Sequence, residues 1–364
     1  MAVELVSKGA QDVYLTGNPE VSFFRQNYKR HTNFAMREIQ LNPIGNLSAS
    51  SEISLKIPSK GDLLSHIWID LGFGTVTSSN AFSNACGISA DSDASPAQFD
   101  LYIGGQLVDR QDAFFITQHW QKFLNDSSVK NDAIHGTSGR VTAGVLSWKF
   151  CNWIPLQFFF CNSVYLPLVA LQYHEVEVRV KFSPNDSSPA LIPKLKFYAN
   201  YIMLDTDERA AFVNTEHDLL IEQVQRITYD SGKFNLGLLN HPVKSLFWGL
   251  PSATDLKTDD VQLYLNGTEI FGVPMPDKYF TQVQGYYYSE FSSDPLRYSN
   301  SSLKMLSFAL RANKHQPCGT CNFSRLDTAT LSMTVTGGTL SYLHAVNFNI
   351  LRIRKGMAGL AFSN

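Results

Sequence analysis

The sequence predicts an all-β chain: two tandem eight-stranded jelly rolls, forming a double jelly roll with a few short helices. Three observations carry this. First, aromatics make up 12% of the 364 residues. Phe, Tyr, Val and Ile recur in short runs split by Gly, Pro, Asn, Asp and Ser, the pattern of strands and turns. Second, several runs alternate cleanly with period two. Third, the chain echoes itself in order, which is the mark of a duplicated unit.

The elements follow from the N-terminus. Residues 1–23 read as an arm. Residues 24–204 read as the first jelly roll, 205–217 as an acidic linker and 218–364 as the second. In the first half, Ile53, Leu55 and Ile57 share one strand face. The uncharged run between Lys149 and His174 contains Pro155, Pro167 and several amides. It therefore predicts buried strands and turns, not a membrane helix. In 174–182, Val176, Val178, Val180 and Phe182 line one face, and Leu331–Val335 repeats the pattern late in the chain. Helices are expected at Asp109–Leu124 and Asp277–Gly285, each opened by an aspartate able to cap it. Long loops are expected at 75–96 and 125–144, with shorter ones at 184–193 and 292–302.

The echoes pair these elements. Leu101-Tyr102-Ile103-Gly104-Gly105 returns as Leu263-Tyr264-Leu265-Asn266-Gly267. Phe115-Ile116-Thr117-Gln118 returns as Tyr279-Phe280-Thr281-Gln282. His66–Ile69 resembles Ser245–Trp248, and Ala199–Ile202 resembles Val346–Ile350.

Composition removes several function classes. A 44% hydrophobic chain with a net charge of −2 is neither disordered nor coated for nucleic acid. Five cysteines in this length do not make a disulfide scaffold. The N-terminus lacks the apolar core of a secretory signal. GxSxG, P-loop and HExxH motifs are absent, so no enzyme is expected. Cys318-Gly319-Thr320-Cys321 has only His315 nearby, too few ligands for zinc, and Asp205 with Asp207 reads as a solvated surface or helix start. No metal and no cofactor are expected. Among the Asn-x-Ser/Thr sequons, Asn125, Asn185 and Asn300 fall in expected loops and are candidate glycan acceptors. Arg25, Lys29, Arg30 and Arg37 form a basic cluster beside an arm that holds Val13, Tyr14 and Leu15.

Several blocks closely resemble the major capsid proteins of nucleocytoplasmic large DNA viruses, the iridovirus and phycodnavirus type. They are Gly9–Pro19, Tyr28–Phe34, Leu166–Val176, Leu204–Arg209, Asn322–Asp327, Asn347–Ile353 and Gly356–Asn364. They span the chain in family order. The resemblance implies a structural protein of an icosahedral shell, present in the virion capsid and assembled in the host cytoplasm. It implies a homotrimer whose six jelly rolls form a pseudo-hexagonal capsomer that contacts neighbouring capsomers. It also implies an inner-face arm, with Tyr14, Arg25, Lys29 and Arg30 as contacts. The arm would face minor capsid proteins and, indirectly, an internal membrane, with no direct nucleic acid contact. Family members are usually longer, mainly in outer loops, so a minor or paralogous shell protein is an alternative. A carbohydrate-binding double jelly roll is the reading from another class.

Overall fold

The computed structural model describes residues 6–25, 28–48, 50–70, 95–125, 153–162, 164–184, 189–249, 257–289, 303–336 and 340–362. Two compact units are present, Met1–Asn33 and Phe34–Asn364. In the first, a single turn α1 (Val13–Thr16) is closed locally, with the Gly9 amide donating to Asp12 Oδ2 at 2.7 Å. None of its described residues is buried, and Tyr14 and Phe23 are 92% and 95% exposed.

The second unit begins with β1 (Phe34–Leu41), β2 (Glu52–Ile57), β3 (Leu63–Asp70), β4 (Gln98–Ile103) and β5 (Gln106–Asp112). Helix α2 (Phe115–Leu124), wound in π form, follows. Then come β6 (Trp153–Pro155), β7 (Leu166–Pro167), β8 (Val176–Lys181) and β9 (Lys196–Leu204). One sheet runs β1-β9-β3-β6 with β7 on β3; the other runs β2-β8-β4-β5.

After helix α3 (Thr206–Asn214), the pattern starts again: β10 (His217–Asp230), β11 (Lys233–Asn235), β12 (Pro242–Trp248), β13 (Lys257–Leu265) and β14 (Thr268–Glu269). Helix α4 follows, π-wound over Tyr279–Val283 and α-helical over Gln284–Tyr288. The chain ends in β15 (Lys304–Ser307), β16 (Cys321–Asn322), β17 (Ala329–Thr336), β18 (Tyr342–Arg354) and β19 (Met357–Leu360). The order β10-β18-β12-β15 repeats β1-β9-β3-β6, and β11-β17-β13-β14 repeats β2-β8-β4-β5. Even the short β7 on β3 has its counterpart in β16 on β12. This is a double jelly roll, and every echo in the sequence falls on corresponding strands or helices. The two sheets of the second roll are continuous, because β10 pairs with β18 through Thr228 and then with β11 at Tyr229 and Asp230.

The alternating strands bury the faces expected of them: Ile53, Leu55 and Ile57, then Val176, Val178, Val180 and Phe182, then Leu331 and Met333. The uncharged run forms β6, β7 and two short 3₁₀ turns at Phe159–Cys161 and Leu168–Ala170. No helix among the described residues is long and apolar enough to cross a membrane.

The helix starts differ from expectation. Asp109–Asp112 belongs to β5, because Asp109 pairs with Leu101 in the ladder and Arg110 binds Asp100 at 2.7 Å. The capping aspartate is Asp112, which accepts from the Phe115 amide at 2.7 Å. The second helix runs on to Tyr288, and the Asp277 carboxylate caps nothing. It accepts instead from Thr258 and pairs with Lys304 at 3.1 Å. The acidic stretch is mostly helix α3. Asp205 accepts from the Thr206 amide, and Arg209 reaches Asp62 at 2.9 Å. The expected loops at 75–96, 125–144 and 292–302 fall almost wholly outside the described residues, and 184–193 does so in part.

Candidate functional site: the seam between the jelly rolls and the exposed faces

Neighbouring residues on β12 point to opposite sides of the sheet. Leu246 and Trp248 enter the core of the second roll, while Phe247 enters a cluster shared with the first. The outer face of this sheet is thus covered by α2, whose Phe115, His119 and Phe123 recur every four residues. Phe247 lies 6.1, 5.8 and 5.8 Å from those three rings. His344, beside Phe247 on β18, lies 5.5 Å from Phe115 and 5.4 Å from His119.

Buried charge sits at the head of this seam. Asp112, 3% exposed, accepts from His344 Nε2 at 2.7 Å and from Arg226 at 3.4 Å, besides capping α2. Burial alone pushes its carboxyl up, but the His344 charge and hydrogen bond, the Phe115 amide and Arg226 outweigh it and hold the pKa at about 2. Asp109 has no such cation. Burial drives it up to about 7 despite bonds from the amides of Val224 and Arg110 and from Gln111 Nε2. His119 is fully buried, and burial, followed by the His344 charge, holds its pKa well below the usual value. Lys122, at the far end of α2, is likewise pushed well down by burial and by the Lys304 charge, and donates to the Leu303 carbonyl at 3.0 Å. A crevice of about 320 Å³ opens onto Asp109, Asp112, Arg226 and His344.

Asp109 and His119 respond to pH in opposite senses. A carboxyl raised to about 7 binds a proton on folding, so its contribution falls as pH rises from about 4 to about 7. A lowered His119 contributes stability that is lost as pH falls below about 6.5. Urea unfolding of Asp109→Asn across this range is expected to lose the first slope, so that the variant gains on the wild type as pH rises. Parallel profiles would show that Asp109 is already ionised in the fold.

A second join lies at the C-terminus. The β18–β19 turn clips onto the first roll, where the Tyr173 amide donates to the Gly356 carbonyl at 3.0 Å and the Ala358 amide to His174 Nδ1 at 3.1 Å. The turn needs Lys355 and Gly356 at positive φ, 50° and 81°. Two blocks far apart in sequence, Leu166–Val176 and Gly356–Asn364, thus meet. Their spacing gave no sign of it.

The remaining candidate residues are separate from the seam. Tyr14, Arg25, Lys29 and Arg30 all lie exposed in the N-terminal unit. Asn185 and Asn300 lie outside the described residues. Asn125 is corrected as a glycan acceptor: it is 6% exposed, and its Nδ2 donates to Gln121 at 2.8 Å, so the amide is enclosed and engaged. Cys318 bonds with the Arg311 backbone, Cys321 opens β16, and His315 turns to Glu222 at 3.7 Å. Among the described residues no group of three or more His, Cys, Asp or Glu is placed to hold a metal. Asn322 accepts from the Ser324 amide and hydroxyl, and Asn266 from the amides of Asp327 and Thr328, so both sequon residues shape turns.

The comparisons decide the family. Residues 22–207 match the model for the major capsid protein N-terminus, and residues 256–359 match that for the large eukaryotic DNA virus major capsid protein. The chain belongs to the major capsid proteins of large DNA viruses. The major capsid protein of Pyramimonas orientalis virus is 35% identical, covering 100% of this chain and 99% of the relative. That of Paramecium bursaria Chlorella virus 1 is 31% identical, over 99% of each. A crystal structure of PBCV-1 VP54 superposes with a TM-score of 0.75 at 25% identity, covering 94% of this capsid protein and 100% of that chain. The Faustovirus major capsid protein shares the fold with a TM-score of 0.62 at 12% identity. The capsid protein is shorter than these relatives' alignments, which extend over 411 and 453 positions against 364 residues.

Proposed function

We propose that this capsid protein works as a trimeric capsomer in which six jelly rolls tile a hexagonal lattice. The single observation that carries this is the repeated strand order, together with the seam that fixes one roll against the other. A rigid pair of like units lets three chains present six nearly equivalent sides. The working surfaces are packing faces. The partners are two further copies, neighbouring capsomers, minor capsid proteins on the inner face and, through them, an internal membrane. Genome contact and catalysis form no part of this reading. Assembly takes place in the host cytoplasm. The functional units are the arm, 1–23, the rolls at 24–204 and 218–364, and the joining stretch 205–217. Light scattering of purified protein is expected to give a mass near three times 40.7 kDa at micromolar concentration. A monomer would reject the capsomer and favour the carbohydrate-binding reading.

The arm serves assembly in this reading. Tyr14, Leu15, Phe23 and Phe24 are each more than four-fifths exposed, apolar surface that a partner would cover. Its basic residues Arg25, Lys29 and Arg30 accompany them. Deleting residues 1–20 is expected to leave the thermal transition of both rolls unchanged while shell assembly fails. Normal particles from the truncated protein would refute this role, and loss of folding would make the arm part of the core.

A further inference from the structure

The seam has two sides, a helix stripe on the first roll and a sheet face on the second. Because the rolls are duplicates, each side has a counterpart that the chain does not use internally. The register of the counterparts is fixed by matching bonds. Thr117 Oγ1 donates to the Ala113 carbonyl in the first roll, and Thr281 Oγ1 to the Asp277 carbonyl in the second. Counting from these threonines, Phe115, His119 and Phe123 of α2 correspond to Tyr279, Val283 and Tyr287 of α4. Phe123 is fully buried against Phe247, whereas Tyr287 is 68% exposed. Tyr286, the counterpart of Lys122, is also exposed.

The sheet side transfers the same way. Phe247 pairs with His344 across β12 and β18, and Trp68 pairs with Tyr198 across β3 and β9. On both strands the following residue, Trp248 or Ile69, enters the core. Trp68 and Tyr198 therefore stand on the outer face. They stack at 4.5 Å and remain half-buried, and no described helix covers them as α2 covers Phe247. Met36, Glu38 and His66 extend this face, all exposed.

We propose that the seam is repeated between chains: the Tyr279, Val283 and Tyr287 stripe of one copy packs head to tail on the Trp68 and Tyr198 face of a second copy. This rests on the capsomer reading and names the surfaces that close it. The repeat differs from the seam in one chemical respect. Asp112, His119, Arg226 and His344 correspond to Pro276, Val283, Gln40 and Tyr198. Beyond Glu38 and His66 at its rim, the contact between copies is aromatic and apolar. It holds through the acid range in which the seam's charges titrate.

Tyr287→Glu tests this, because an exposed position tolerates the change within the fold. If circular dichroism is unchanged, the mass is expected to drop about threefold, from trimer to monomer. A folded Tyr287→Glu protein that remains a trimer overturns the contact while leaving the capsomer intact. A monomeric wild type overturns the capsomer itself. Polarity is read by cysteine pairing with a short bis-maleimide, above the wild-type background. Mixed trimers of Tyr287→Cys and Trp68→Cys chains should give covalent dimers, and neither variant should do so alone. Dimers from either variant alone would mean a self-to-self contact and overturn the head-to-tail arrangement.

Discussion

Replacing Asp112 by alanine is expected to cost about 3–5 kcal/mol, the range found when one partner of a buried ion pair is removed. Three groups depend on this carboxylate: the Phe115 amide that opens α2, the His344 ring and the Arg226 guanidinium. Alanine leaves His344, itself 1% exposed, with a buried charge and no counterion. Asp112→Asn keeps a cap acceptor and removes only the charge, so it should lose less. The pH dependence follows from the lowered pKa. Stabilisation from Asp112 is present above about 4 and is lost as pH falls towards about 2. Urea midpoints of the wild type should fall through that window, with those of Asp112→Asn falling less. An alanine variant within about 1 kcal/mol of wild type at pH 7 would mean that the seam relaxes around the missing carboxylate.

Phe247→Ala and Trp248→Ala are each expected to cost about 3–5 kcal/mol, as large aromatic truncations in cores do. Their consequences should part, because the two side chains point to opposite sides of β12. Phe247 packs on Phe115, His119 and Phe123 across the seam, so its loss should raise amide exchange in α2 and at the α2-facing side of β12. Trp248 packs on Phe280 at 5.3 Å inside the second roll, so its loss should raise exchange in α4 and the β13–β17 pair. Identical exchange patterns for the two variants would show that the rolls unfold as one unit with no separable seam.

Much of the architecture was legible in the sequence because strand burial has a two-residue period that any reader can follow. Val176, Val178 and Val180 had only one face on which to lie. The duplication was legible because corresponding strands kept similar residues at corresponding core positions, as with Ile67 and Leu246. The helix starts were misplaced for a definable reason. Asp109 and Asp112 are equally able to cap a helix, and only the ladder to Leu101 and Asp100 assigns the first to a strand.

By itself, the sequence determined the all-β class, the tandem repeat, the core faces and, through its ordered blocks, the capsid family. Tertiary structure alone decided what the duplicated units do to each other. His119 and Val283 occupy matching helix positions, yet one is buried in the seam and the other lies partly exposed. Local sequence encodes which side chains want cover, but what covers them depends on which roll stands next to which. The same limit applies to Asp109, Asp112 and His344. Their altered titration arises from neighbours more than a hundred residues away, brought together only when β5 meets β10 and β18. Burial and long-range pairing are properties of the assembled fold, and no local pattern carries them.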